Sequence, residues 1–288
     1  MMKVDFFIVG APKSATTSLF NYLGQHEGIS MSTIKEPDFF SHLELNKQKL
    51  YYKSKPISDI NTYHNLFLTK KKSQLLGEAS VSYLFYPKVS ERIFSYNPNA
   101  KIIIVLRNPV ERTVSHYQMD KRLGFIKYNL SDVLNDSTIE NHSLYYQQYI
   151  QLSYYYQQVK KYIDVFGKEN ICILNYDDLK KNNKDFTSKA LSFLDLKVSK
   201  NINFDSKYNR SKSSRFRLFN LLYSKIFIRK VIKSIVPKKI IASVNEILFD
   251  QKLPNLSVHV ESQLYDLFKE DIVLLEKMLE INLSSWKK

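Results

Sequence analysis

Apolar residues recur along this chain in two rhythms. Val4 to Gly10, VDFFIVG, is a short run rich in β-branched and aromatic residues that stops at a glycine, the pattern of a buried strand. Small and polar residues follow. From Thr16 to Leu23 the side chains of Leu19, Phe20 and Leu23 then fall at helical spacing. Ile102 to Leu106 is continuously apolar, as in a parallel strand covered on both faces. Arg107-Asn108-Pro109 interrupts it, and Pro109 suits the first turn of a helix. The same criteria predict strands at Ile171–Leu174 and Gln74–Gly77, and helices over Tyr145–Phe166 and Phe186–Leu194. Asn46 to Lys72 is polar and punctuated, and reads as a helix-and-loop excursion over the site. Strands alternating with helices predict an α/β fold with a central, mainly parallel sheet flanked by helices in three layers. No internal repeat or low-complexity linker interrupts the pattern.

Length and composition narrow this picture. The 288 residues, 44% of them hydrophobic, suffice for one large domain or two small ones. A single domain over 1–288 is expected, with 214–288 as a basic helical C-terminal extension. The formal net charge of +15 is concentrated: Lys207 to Ile240 holds about eleven lysines and arginines and no acid. Within it, Lys225, Arg229 and Lys233 form one helical stripe, and Leu221, Ile228, Ile232 and Ile235 a broad apolar arc. Residues 214–240 are thus suited to an anionic membrane surface, or to packing the arc on the core with the cations in water. No recognition motif points to nucleic acid.

The single cysteine, Cys172, excludes a disulfide framework and fits a reducing compartment. The six histidines lack metal-ligand spacing, and no metal is expected. The N-terminus lacks a signal-peptide pattern, and no run approaches the ~20 apolar residues of a membrane span. The expected location is the cytoplasm, as a soluble protein or peripherally at the inner face of a membrane.

The candidate chemistry begins where the first strand meets the first helix. Gly10-Ala11-Pro12-Lys13-Ser14-Ala15-Thr16-Thr17-Ser18 brings backbone amides at a helix start, hydroxyls at Ser14, Thr16, Thr17 and Ser18, and the Lys13 charge to one loop. That combination suits a phosphate or sulfate, although an ordinary strand-to-helix turn with a surface lysine has the same outline. A kinase or ATPase loop reads G-x-x-x-x-G-K-[ST]. Here Ala15 and Thr16 stand where its second glycine and lysine belong, which disfavours metal-dependent ATP chemistry. Arg107 to Tyr117 follows a second strand and so belongs to the same sheet edge, where open α/β folds bind ligands. Arg107 offers fork-shaped recognition of a phosphate, and Ser115 lies eight residues on. In Thr33-Ile34-Lys35-Glu36-Pro37-Asp38-Phe39-Phe40, a carboxylate follows a lysine, and two aromatics are placed to anchor the loop. Such a carboxylate can take a proton from an attacking hydroxyl or amine. Tyr208 to Arg215 is a basic loop with Lys212 and Ser213 as further ligand candidates.

Together, from Phe6 to Arg215, these segments resemble the sulfotransferases that use PAPS (3′-phosphoadenylyl sulfate), in their bacterial and heparan-type branch. The resemblance implies a P-loop-like fold. It implies that Lys13, Ser14, Ala15, Thr16, Thr17 and Ser18 bind the 5′-phosphosulfate, with Lys13 stabilising the leaving group. Arg107 and Ser115 then match the 3′-phosphate motif, Lys212 and Ser213 the loop that closes over the nucleotide, and Glu36 the general base. It further implies PAP as product, no metal, and a saccharide or glycolipid acceptor. Asp38 stands where 3-O-sulfating enzymes often carry histidine, and Glu78-Ala79-Ser80-Val81-Ser82-Tyr83 lacks their Lys-Thr-Pro. Both departures count against a heparan-like acceptor. The residues taken alone also admit a kinase-like phosphotransferase or a non-catalytic basic protein of the membrane surface.

Overall fold

The computed structural model describes residues 2–48, 55–67, 74–204, 213–214, 249–250 and 257–287. They group into two compact units. One comprises 1–112, 152–209 and 268–288, the other 113–151 and 210–267.

The first unit contains a five-stranded sheet of order β2-β3-β1-β4-β5, in which every pairing is parallel. Its strands are β1 (Phe6–Gly10), β2 (Ile29–Met31), β3 (Leu75–Ala79), β4 (Lys101–Leu106) and β5 (Ile171–Asn175). The central strand β1 is buried along its whole length, as its unbroken apolar run requires. On one face Phe6 and Ile8 pack with Leu19, Tyr22 and Leu23 of α1 (Thr16–Leu23) and with Phe186, Ala190 and Leu191. On the other, Phe7 meets Phe40 edge-on at 5.6 Å. The sheet closes tightly at Gly77, where a Cβ would lie 2.2 Å from Phe6 Cζ.

The remaining helices are α2 (His42–Gln48), α3 (Ile60–His64), α4 (Pro87–Tyr96), α5 (Pro109–Leu123), α6 (Leu130–Asn135), α7 (His142–Tyr149), α8 (Tyr155–Phe166), α9 (Tyr176–Lys181), α10 (Asn183–Phe193) and α11 (Val258–Leu279). The unit boundaries fall inside α5 and α11. Helix α5 begins at Pro109 because Asn108 caps it: the Asn108 side-chain oxygen accepts from Val110 N at 3.0 Å and Glu111 N at 3.3 Å.

One expectation is corrected. Tyr145–Phe166 is not one helix but α7, a 3-10 turn at Gln151–Ser153, and α8. Within the first unit Ser153 Oγ accepts from buried Arg112 Nε at 2.5 Å and donates to Pro109 O at 3.2 Å, which fixes the turn. Asp271 then caps the new helix, accepting from Tyr155 N at 2.7 Å and Tyr156 N at 3.1 Å. From 214 onward the described residues include the long helix α11. In the second unit Ser213–Ser214 (β6) pairs antiparallel with Phe249–Asp250 (β7). The expected basic stretch over 214–240 lies, Ser214 apart, outside the described residues.

Within 113–151 the second unit contains a buried polar cluster. His116 Nδ1 lies 3.0 Å from Gln148 O, Thr113 Oγ1 donates to Tyr149 O at 2.6 Å, and Tyr149 donates to Asp120 at 2.9 Å. Among the described residues no helix is long and apolar enough to cross a membrane.

Candidate active site

Because the strands run in parallel, the loops that leave β1, β3, β4 and β5 all emerge at one edge of the sheet. The β1–α1 loop is built for close approach. Gly10 carries no side chain because a Cβ there would lie 2.6 Å from Leu84 Cβ. Lys13 (φ 67°) and Ala15 (φ 62°) adopt left-handed backbone on either side of Ser14. Ala15 occupies the N-cap of α1, where an oxygen-bearing side chain would normally satisfy the first amides, and it has none to offer. Ser14 is fully buried, and its Oγ has no hydrogen-bond partner among the described residues. Thr16 and Ser18 are buried in the first turn; Lys13 and Thr17 are half-buried.

Arg107 reaches this loop directly: its Nη1 donates to Lys13 O at 3.2 Å. The guanidinium is held by Glu111 one turn on, at 3.0 and 3.1 Å, and lies over the Tyr176 ring at 4.6 Å. Tyr176 opens α9, whose cap is Asn175 at the end of β5. Lys180 in turn pairs with Asp177 at 2.7 Å and Glu111 at 3.3 Å, and lies 5.0 Å from the same ring. The structure thus brings Lys13 and Arg107 together. Ser115 is half-buried on α5, in the second unit. Lys212 lies outside the described residues, and Ser213 is described only by its pairing in β6.

Glu36 stands at the same edge, because its N donates to Ala79 O at the end of β3 at 2.8 Å. Ala79 pairs with Ile8, so Glu36 is tied to the strand next to the one that feeds the Lys13 loop. Its side chain is 42% exposed and forms an ion pair with Lys35. Glu36 (φ 62°) and Asp38 (φ 53°) both adopt left-handed backbone on either side of Pro37. The two aromatics anchor this corner as their pattern suggested. Phe39 stacks on Tyr63 at 4.5 Å, and Phe40 packs edge-on to Tyr83 at 5.7 Å. Arg92 adds a hydrogen bond to Phe40 O at 2.6 Å and a two-pronged pair with Glu44. Part of the excursion comes here as well: Ile57 N donates to Pro37 O at 2.9 Å.

Beneath the corner lies Glu78, fully buried in β3. It accepts from Ser80 Oγ at 2.6 Å, Tyr63 OH at 2.8 Å and Tyr83 OH at 3.2 Å. Burial pushes its carboxyl from the ordinary 4.5 up to about 7; the three hydroxyls pull downward and the nearby Asp38 charge pushes up. Neither Glu78 nor Tyr176 is singled out by the sequence pattern as a site residue. The available signals were an acid inside a β-rich run and an aromatic directly after a strand end.

A parallel sheet, a capless strand-to-helix loop with a buried unpartnered hydroxyl, and an arginine from the neighbouring strand define a P-loop-like α/β fold. The sulfotransferase domain family matches residues 3–242, and the chain belongs to that family. A crystallised sulfotransferase from Alicyclobacillus acidocaldarius superimposes with a TM-score of 0.73 and 26% identity, covering 100% of both chains. The membrane-associated sulfotransferase kil1 of Dictyostelium discoideum is 32% identical over 133 residues, 46% of this chain and 26% of that protein. Human carbohydrate sulfotransferase 15 is 24% identical over 243 residues, 66% of this chain and 43% of that protein. The chain therefore spans less than half the length of these two relatives.

Proposed function

We propose that this chain transfers a sulfuryl group from PAPS to a hydroxyl or amine of a saccharide or glycolipid acceptor, releasing PAP. The observation that carries this reading is Ser14. A buried hydroxyl without a partner costs about 1–3 kcal/mol, and it lies in a loop whose helix has no capping side chain. A tetrahedral anion bound there supplies the missing acceptor, which fits the 5′-phosphosulfate. Arg107, held against Lys13 O, supports a second anion beside the first, and the family correspondence adds Ser115 to it as a 3′-phosphate ligand. Lys212 and Ser213 are assigned to the closing loop on the same correspondence. The relatives named for carbohydrate sulfation support a saccharide-type acceptor. The sequence-based location, in the cytoplasm or at the inner face of a membrane through 214–240, is kept as part of the proposal, as is a single functional domain.

Each side chain then has a chemical task. PAPS supplies the activated sulfuryl group. Glu36 accepts the acceptor's proton as the acceptor atom bonds to sulfur and the bond to the bridging oxygen breaks. Lys13 stabilises the negative charge that gathers on the departing phosphate. Neither step calls on a metal or redox partner.

The test is transfer of labelled sulfate from PAPS across a panel of saccharide and glycolipid acceptors. Wild type is expected to label a member of the panel. Glu36→Gln is expected to lose at least ~100-fold in kcat while binding 3′,5′-ADP as before. Full activity in that variant removes Glu36 from the mechanism.

A further inference from the structure

The Glu36–Asp38 corner is an unusual place for a base. Two non-glycine residues sit in left-handed backbone around a proline, each costing on the order of 1–2 kcal/mol. Such a corner persists only where its surroundings over-determine it. The amides that follow Pro37 are held by side-chain hydroxyls. Asp38 N donates to Ser80 Oγ at 3.1 Å, and Phe40 N donates to Tyr83 OH at 3.2 Å. Both hydroxyls then pass a hydrogen bond on to one carboxyl: Ser80 to Glu78 Oε1 at 2.6 Å, Tyr83 to Glu78 Oε2 at 3.2 Å. Tyr63 donates to Oε2 at 2.8 Å, and its ring is the one on which Phe39 stacks.

The direction of these bonds is fixed by chemistry. A backbone amide can only donate, so the Ser80 and Tyr83 oxygens must accept from it. Each hydroxyl has one proton, which is then pointed at Glu78. A carboxylate can receive all three donors; an amide side chain cannot. We infer that Glu78 is a positioning residue for the sulfuryl-transfer site, the common acceptor of two hydroxyl relays that fix the main chain carrying the base Glu36. It does not touch the acceptor or the donor; it acts through Ser80, Tyr83 and the corner. The inference deepens the reading of Glu36 as base and rests on it.

The test pairs kinetics with local hydrogen exchange on the full chain. Glu78→Gln keeps shape and volume but replaces one accepting oxygen by an NH2 that faces either Ser80 or the Tyr63 and Tyr83 pair, so one relay must break. The expected result is a fall in kcat of at least tenfold, a KM for PAPS within about twofold of wild type, and at least tenfold faster exchange at Asp38 or Phe40, whichever amide belongs to the broken relay, with β1 and β4 amides unchanged. Ser80→Ala and Tyr83→Phe each cut a single relay and serve where Glu78→Gln does not fold; each is expected to loosen its own amide and lower kcat. Glu78→Gln combined with Ser80→Ala or with Tyr83→Phe should be clearly less than additive for the relay that Glu78→Gln already breaks. Unchanged kcat in variants whose corner amides exchange faster overturns the inference, and so does unchanged exchange at both amides. Full activity in Glu36→Gln would overturn the base assignment alone, because the relay is read from exchange in the variants and not from Glu36.

Discussion

Glu78 gathers three hydroxyl donors, from Tyr63, Ser80 and Tyr83, around one buried carboxyl. A single acid in a short strand carries no periodic signal, so the role of Glu78 comes from partners that only the fold assembles. Its titration makes a prediction at this scale. With its carboxyl raised from 4.5 to about 7 by burial, the native state binds more protons than the unfolded state between those values, so stability falls as pH rises through that window. The contribution is fully present below pH 4.5 and is lost as pH climbs through about 7. Asp271, raised by burial from 3.8 to about 6, adds to the same slope. Denaturant melts of wild type and Glu78→Gln from pH 4 to 8 check this: the difference in stability between them should shift steadily in favour of the variant as pH rises. A pH-independent difference contradicts it.

At the scale of elements, the strand-loop-helix of β1 and α1 and the strand-proline-helix of β4 and α5 follow from local rules. Each has an unbroken apolar run, a breaker and a helix start within some fifteen residues. The two-part helix α7 and α8 does not follow, because no glycine or proline marks the break. The turn is held by Arg112 and the new helix is capped by Asp271, 116 residues away from Tyr155. Strand β2 has no signature in the sequence, because its three residues are too few to show alternation. Close packing between strands yields a further prediction. Replacing Gly77 by alanine drives a methyl into Phe6 Cζ and Met31 Sδ. It should lower stability by about 1–3 kcal/mol, the usual range for overpacking, measured by chemical denaturation. A neutral change would mean that β1 and β3 can separate at little cost.

Across the whole molecule, sequence order and sheet order together make the site. The loops that carry Lys13, Glu36, Arg107 and Tyr176 come from residues far apart in the chain, yet a parallel sheet delivers them to one edge. The alternation of strands and helices was enough to anticipate that edge. It was not enough to specify the C-terminal region, where a basic run predicts only a charged surface and the β6–β7 pair has no sequence signature. The central claim is that this edge binds a nucleotide bearing both a 5′- and a 3′-phosphate. Calorimetric titration with 3′,5′-ADP and with ATP, in wild type and Ser14→Ala, tests it most directly. The expected result is tighter binding of 3′,5′-ADP than of ATP in wild type, weakened by at least about tenfold in Ser14→Ala, the loss of roughly one hydrogen bond to a charged group. Preference for ATP, or no binding of either nucleotide, would contradict the account.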